Sequence, residues 1–132
     1  APLFVRLGAR LRAPDGTAPG KVRRITMRNI TATDILPDYS ALIIGLPEHP
    51  IADITLEHIR LSYRGGFAAT AENPDVLANS YPEPSMFGPT PAFGLWARHV
   101  ENLTLKDVTL TTDTPDARPE MVLSHIQPII SI

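Results

Sequence analysis

A pair of carboxyl groups can serve as general acid and base, and this 132-residue chain has 14 Asp and Glu residues. Nearly all of them, including Asp15, Asp34, Asp53 and Glu57, lie beside turns or at outward positions of predicted strands. A general acid needs a raised pKa, usually from burial or a neighbouring carboxylate, and no two acids form an isolated inward pair. The sequence therefore predicts no catalytic residue.

Metal and cofactor sites also lack a motif. Histidine is a frequent metal ligand in proteins, but the four histidines of this chain do not have metal-ligand spacing. They are His49, His58, His99 and His125. The chain has no cysteine, which excludes a disulfide framework and thiolate ligands. No glycine-rich phosphate loop occurs. We expect neither a metal nor a cofactor.

Basic residues are concentrated near the start of the chain. Residues 1–28 carry seven Arg or Lys and one Asp, whereas the remaining residues carry five basic and thirteen acidic side chains. A basic face can meet an acidic polymer such as nucleic acid or a uronic-acid glycan, but solvated outward strand positions explain Arg23, Arg24 and Arg28 more simply. We expect no nucleic-acid partner. No apolar run reaches the length of about 18 residues needed for a membrane span, so we expect no membrane partner.

A repeat is the strongest pattern in the chain. Three segments superimpose without a gap, at 22–32, 51–61 and 100–110. Each has apolar residues at relative positions 1, 4, 6, 9 and 11 and Thr at position 5. The alternation indicates short strands, and the polar pair at positions 7 and 8 shifts its phase, as at a corner where Asn29, His58 and Asp107 tolerate left-handed backbone.

Each repeat is accompanied by a second apolar strand upstream, at 2–8, 40–46 and 92–98, and a fourth at 119–124 lacks a complete follower. Residues 63–91, rich in Gly, Pro, Ala, Asn and Ser, are predicted to form one long loop. Such repeats without a helical pattern predict an all-β fold, a right-handed parallel β-helix of about three and a half coils. We expect residues 1–132 to form a single β-helix segment. Equivalent positions should then stack in ladders, for example Ile25 with Ile54 and Leu103.

Four stretches carry a family resemblance: LFVRLGAR at 3–10, NSYPEPSMFG at 79–88, AFGLWARHV at 92–100 and DARP at 116–119. Together with the repeat, they resemble the C-terminal part of bacterial family 28 glycoside hydrolases, the polygalacturonase-like enzymes of the pectin-lyase-like β-helix superfamily. The resemblance covers the chain up to the tail at 127–132. It implies inverting hydrolysis of galacturonan-type links by acidic side chains, and an extracellular or periplasmic location.

The chain departs from the family in the elements of the active site. Family members use an Asn-x-Asp element, an Asp-Asp pair, a Gly-His-Gly element and an Arg-x-Lys element at the active site. The last three are absent from the chain, and we expect no active-site Asn-x-Asp element either. By the family's order of elements, the chain corresponds to a part that begins about one coil after the Arg-x-Lys strand. We therefore expect it to be inactive alone.

The resemblance also implies substrate contacts. Arg6 and Arg10 lie where family members place a substrate-contacting side chain, although the family's Tyr near this point is replaced by Gly8 and Ala9. Two arginines can hold a uronate carboxylate, and aromatic residues can stack on sugars, so the candidate binding set is Arg6, Arg10, Tyr81 and Glu83. The alternatives are a structural ion pair for Arg6, solvation for Arg10, a core position for Trp96, and anchoring of the long loop by Tyr81 and Phe87.

Three functions remain open from the sequence. The first is an inactive C-terminal β-helix segment of a polygalacturonase-like glycoside hydrolase. The second is a stand-alone oligomerising or carbohydrate-binding β-helix module, because open strand ladders invite association. The third is a small hydrolase with an unrecognised site. The expected partners are an acidic polysaccharide of the galacturonan type and a second copy of the chain stacked through the open β-helix ends.

Overall fold

A computed structural model describes residues 1–10, 13–70 and 73–132. Within these residues the fold is all-β, with no α-helix and one short 3-10 helix at Pro84–Phe87. The strands are β1 (Phe4–Arg6), β2 (Arg23–Ile35), β3 (Ala41–Ile44), β4 (Ile51–Gly65), β5 (Leu95–Thr114) and β6 (Met121–Ser131). They form a single parallel sheet that curls into a half-barrel, in which β1-β3-β5-β4-β2 are hydrogen-bonded neighbours and β6 also pairs with β5.

The repeat is stacked in the register predicted from the sequence. Ile25 pairs with Ile54, which pairs with Leu103, and the threonines at the next position pair in the same way. The predicted ladders are confirmed along the three repeats: Met27, Leu56 and Leu105; Ile30, Ile59 and Val108; and Ile51 with Val100. Val22 joins the last of these, because its carbonyl accepts a hydrogen bond from the Ala52 amide at 3.0 Å.

The short strands are β1, β3 and the first residues of β5 and β6. They have two apolar faces, because side chains alternate along a strand. The inner face packs in the main core with the long strands and includes Val5, Ile43 and Ala97. The outer face forms a second, smaller core around Leu42 and Trp96. The sheet thus has one apolar face inside the half-barrel and a second on its outside, where residues of the long loop pack.

The corners of the long strands have left-handed backbone, as predicted for the column of Asn29, His58 and Asp107, whose φ values are 58°, 53° and 56°. A second column, not predicted, lies five residues earlier and has φ values of 57°, 57° and 60°: Arg24, Asp53 and Asn102. The second column could have been predicted in the same way as the first, because its three residues are also polar. In the second column the side chains also bond to each other, since Asn102 Nδ2 donates to Asp53 Oδ1 at 2.9 Å.

The fourth short strand lacks a complete follower, as predicted. β6 runs on to Ser131 and pairs Ile126 with Val100 and Ile129 with Leu103, but its register with β5 ends at Leu105, where Ser131 occupies the apolar position. One sequence-based boundary is wrong. The long loop begins after Gly65 rather than at Tyr63, because Tyr63 is buried and pairs with Thr112 on β5.

The described part of the chain contains no helix with the length and apolar character needed to cross a membrane.

Candidate functional site

The segment at 73–91 covers the outer face of the short strands. Phe87, from its 3-10 helix, packs edge-on against Trp96 with ring centroids 4.9 Å apart. The backbone joins as well, since the Ala9 amide donates to the Ala78 carbonyl. Apolar side chains on both sides of this contact, including Leu42 and Met86, explain why the segment docks here. All four sequence-predicted binding residues lie in or beside this segment.

Arg10 and Tyr81 are brought together by the fold. The Arg10 guanidinium carbon lies 4.9 Å from the centroid of the Tyr81 ring, although 71 residues separate them along the chain. Tyr81 is 63% exposed, so one part of the ring remains open to a ligand. Glu83 lies two residues later, exposed, at the start of the 3-10 helix, where its carbonyl accepts from the Met86 amide at 3.0 Å. The arrangement places a cation beside an exposed aromatic ring, with an acid two residues further along the segment that carries the ring.

Arg6 has different contacts from Arg10. Its Nη2 donates to the Leu77 carbonyl at 2.7 Å, and its guanidinium lies 5.5 Å from the Phe87 ring centroid. Burial lowers the pKa of Arg6, because desolvation disfavours the charged form. The structural ion pair considered for Arg6 is not found among the described residues. Arg6 is thus held by the loop carbonyl rather than by an acid.

Sequence reasoning missed Arg98, which is oriented like Arg6 towards the covering segment. Its Nη1 donates to the Pro74 carbonyl at 2.8 Å. Arg98 follows Trp96 by two residues on β5, so strand alternation places both side chains on the outer face. This spacing could have predicted the position of Arg98 from the sequence. Trp96 itself is completely buried, which confirms the core alternative for this residue. Phe87 anchors the long segment, whereas exposed Tyr81 does not.

Three carboxylates on the long strands, those of Asp34, Glu57 and Asp107, are paired with cations. Hydrogen bonds from Arg60 and His58 lower the pKa of Asp107, with Arg60 Nη2 2.8 Å from its Oδ1. The Arg28 guanidinium, 2.7 Å from Glu57, likewise lowers the pKa of that carboxyl. A general acid needs the opposite shift, so neither residue is suited to that role.

Two further acidic features lie outside these ion pairs. The chain does contain an Asn-x-Asp spacing, at Asn73 and Asp75, but both residues are exposed in the long loop outside the strands. Asp53 and Glu101 line an open groove of about 1030 Å³ that sequence reasoning did not predict. The groove lies on the side of the half-barrel where the short strands turn into the long ones.

The same groove is lined by His99 and His125, whose rings stack with centroids 4.8 Å apart. Burial, then the charges of Arg98 and His125, lowers the pKa of His99. The pair arises because both residues directly follow paired short-strand positions, Arg98 and Ser124. Within the described residues, no three His, Asp or Glu side chains are placed to hold a metal ion.

No protein-family model, curated protein or solved structure matches this chain. The resemblance to family 28 glycoside hydrolases therefore rests on the sequence motifs.

Proposed function

We propose that the chain is a C-terminal-type β-helix segment of a polygalacturonase-like glycoside hydrolase that binds galacturonan-type glycan and does not hydrolyse it alone. The contact between Arg10 and Tyr81 is the observation that carries the binding role. An exposed aromatic ring with a guanidinium beside it suits a sugar that bears a carboxylate. The ring covers an apolar sugar face, and the guanidinium pairs with the carboxylate.

The proposal includes the complete fold type: the half-barrel is part of a right-handed parallel β-helix of about three and a half coils. The support is that each strand pairs in parallel with its equivalent one repeat later, over a spacing of 29 residues and then 49. The short strands follow the same rule, since Phe4 pairs with Leu42 and Leu42 with Trp96. A solenoid is the architecture in which sequential repeats stack in this way.

The lack of catalysis is proposed from the acids. An inverting glycosidase needs two carboxyl groups about 6.5–9.5 Å apart, one of them protonated. In the structure, arginines hold the pKa of Asp34, Glu57 and Asp107 below the ordinary range. None of these three can therefore keep a proton near neutral pH.

Glycan binding should depend on the exposed pair. We expect Tyr81→Ala and Arg10→Gln each to weaken binding of oligogalacturonate at least about tenfold, since each removes a stacking surface or a charged hydrogen bond. Isothermal titration calorimetry measures the affinity. Arg23→Gln removes the same charge from an exposed position on β2 and should bind as the unmodified chain does.

Two results would contradict this function. One is equal binding by Tyr81→Ala and the unmodified chain. The other is release of reducing ends from polygalacturonate that a single carboxylate substitution abolishes, because this would show that the chain hydrolyses glycan with a site of its own.

A second candidate, an oligomerising module, is favoured by the ends of the sheet. Inward residues of β2 are only half-buried, whereas their β4 partners Ile54, Leu56 and Ile59 are at most 1% exposed. The opposite end exposes Ile129, Ile130 and Ile132 by 44, 45 and 76%. No described strand pairs with the outer edge of β2. Such an edge can accept a strand from another copy.

If copies stack through these ends, sedimentation should show a concentration-dependent dimer. Ile30→Lys should shift it to monomer, because a charge in the half-buried row opposes stacking. Thr33→Lys adds the same charge at an exposed position of β2 and should leave the dimer intact. A strict monomer at high concentration would count against this candidate and leave glycan binding unaffected.

A further inference from the structure

Buried polar atoms without a hydrogen-bond partner are confined to one face of the described structure. They are Arg6 Nε and Nη1, Trp96 Nε1, Arg98 Nε and Ser124 Oγ. All belong to the outer face of the short strands, beneath the segment at 73–91. The nitrogens in this set can only donate hydrogen bonds. Leaving a buried donor unpaired costs free energy, so this concentration of donors requires an explanation.

The sheet register places these donors in two adjacent columns. Arg6 pairs with Ile44, Ile44 with Arg98, and Arg98 with Ser124, so these four side chains stand in one column. Trp96 lies two residues before Arg98 on the same face. Strands are spaced by about 4.8 Å, so Arg6 and Arg98 stand roughly 10 Å apart at the backbone, with Ile44 between them. Their long side chains can converge on a group above Ile44.

Among the described residues, no acid lies within ion-pair distance of the arginines on this face. Within the described part of the chain, neither Arg6 nor Arg98 forms an ion pair. Each uses only part of its donor set on one carbonyl of the covering segment, that of Leu77 or of Pro74. A guanidinium has five N–H donors, and the buried Nε and Nη1 of Arg6 and Nε of Arg98 have no hydrogen-bond partner among the described residues.

We propose that this face is a binding site for a small oxyanion, held by Arg6, Arg98 and the indole N–H of Trp96 beneath the segment at 73–91. A carboxylate or an inorganic oxyanion offers the several acceptor lone pairs that these donors lack, together with the negative charge that two guanidiniums require. The bound anion bridges the strands to the segment, because the same arginines hold the Leu77 and Pro74 carbonyls. The site is independent of glycan binding at Arg10 and Tyr81.

Trp96 is the single tryptophan of the chain, so its fluorescence reports directly on the site. The experiment titrates the chain with sodium acetate or sodium sulfate at ionic strength held constant with sodium chloride, and with acetamide as the neutral analogue of acetate. We expect a saturable change in Trp96 emission with an oxyanion and no saturable change with acetamide. Saturation by acetate alone assigns a carboxylate ligand, saturation by sulfate alone an inorganic one, and saturation by both a general oxyanion site.

Variants link the signal to the arginines. Arg98→Gln should weaken the apparent affinity at least about tenfold, because it removes a charged donor from the anion. Arg28→Gln, at an exposed arginine on β2, should leave the affinity unchanged. If Arg98→Gln does not fold, Arg6→Lys serves instead, since lysine keeps the charge but loses the forked donor geometry.

The proposal is overturned if neither anion gives a saturable signal, if acetamide gives the same signal, or if the arginine variant binds as tightly as the unmodified chain. None of these results bears on the proposed oligogalacturonate binding, because that proposal is tested separately with the Tyr81→Ala and Arg10→Gln variants.

Discussion

Replacing Arg118 with Ala should destabilise the chain by about 3–5 kcal/mol, the cost of breaking a buried ion pair from one side. The Arg118 and Asp116 side chains are both completely buried and meet at 2.8 Å. Arg118 also donates to the Pro37 carbonyl at 2.7 Å and to the Thr90 carbonyl, and it lies 3.8 Å from the Phe67 ring centroid. Its loss leaves the Asp116 charge without its cation and two carbonyls without their donor.

Urea unfolding followed by circular dichroism measures this change. Arg64→Ala is the matched control, because Arg64 also pairs with an aspartate, Asp34, but both side chains are more than half exposed. Solvent screens such a pair, so its removal should change the free energy of unfolding little. Equal changes in the free energy of unfolding for the two substitutions would show that burial does not determine how much the Arg118 ion pair stabilises the fold.

The effect of Arg118→Ala should also depend on pH. The hydrogen bonds from Arg118 are the main cause of the lowered pKa of Asp116. A carboxyl with a depressed folded pKa stabilises the fold above its ordinary pKa of about 4 and loses this contribution as pH falls through the folded pKa. The difference between the unmodified chain and Arg118→Ala should therefore be largest near neutral pH and shrink below about pH 4.

Gly45→Ala is the second substitution with a large expected effect. A Cβ atom at Gly45 would overlap the His99 carbonyl oxygen and lie 2.8 Å from the Ile51 amide nitrogen. Both are backbone atoms, so relief requires β3 to move away from β5. The Gly45 amide itself donates to the Arg98 carbonyl at 2.9 Å, and this bond resists such movement. We expect a loss of about 3 kcal/mol in the free energy of unfolding, or failure to fold.

The comparison for this prediction is Gly20→Ala. No atom of the described residues lies within 4 Å of a Cβ atom at Gly20, and its backbone does not require positive φ. Thermal unfolding of the two variants should therefore differ clearly, with the midpoint of Gly20→Ala close to that of the unmodified chain. A Gly45→Ala variant as stable as the Gly20→Ala variant would contradict the close approach of the two strands.

The repeat could be aligned from the sequence because parallel stacking places equivalent positions beside one another. The apolar residues of 22–32, 51–61 and 100–110 therefore predicted the partners Ile54 and Leu103 without knowledge of the loops. The corner at Asn29, His58 and Asp107 followed as well, since polar residues that interrupt an alternation mark a change of strand direction. Both inferences use only local pattern and spacing.

The same reasoning recovered only the first part of β6. The tail retains apolar residues opposite Val100 and Leu103, but Ile130 and Ser131 replace the Thr and apolar positions of the repeat. The free edge of β5 nonetheless accepts the tail, because backbone hydrogen bonds do not depend on the side chains that the pattern compares. An edge is created only by the folded sheet, so pattern alone could not extend this strand.

The residues that stack in each ladder could be read from the sequence, since each repeat supplies one strand and parallel pairing sets equivalent positions side by side. The surface that the segment at 73–91 covers could not be read in this way. Folding brings Tyr81 to Arg10 and turns Arg6 and Arg98 towards the carbonyls of Leu77 and Pro74. Irregular segments have no period, so their docking depends on the apolar outer face that the completed sheet presents.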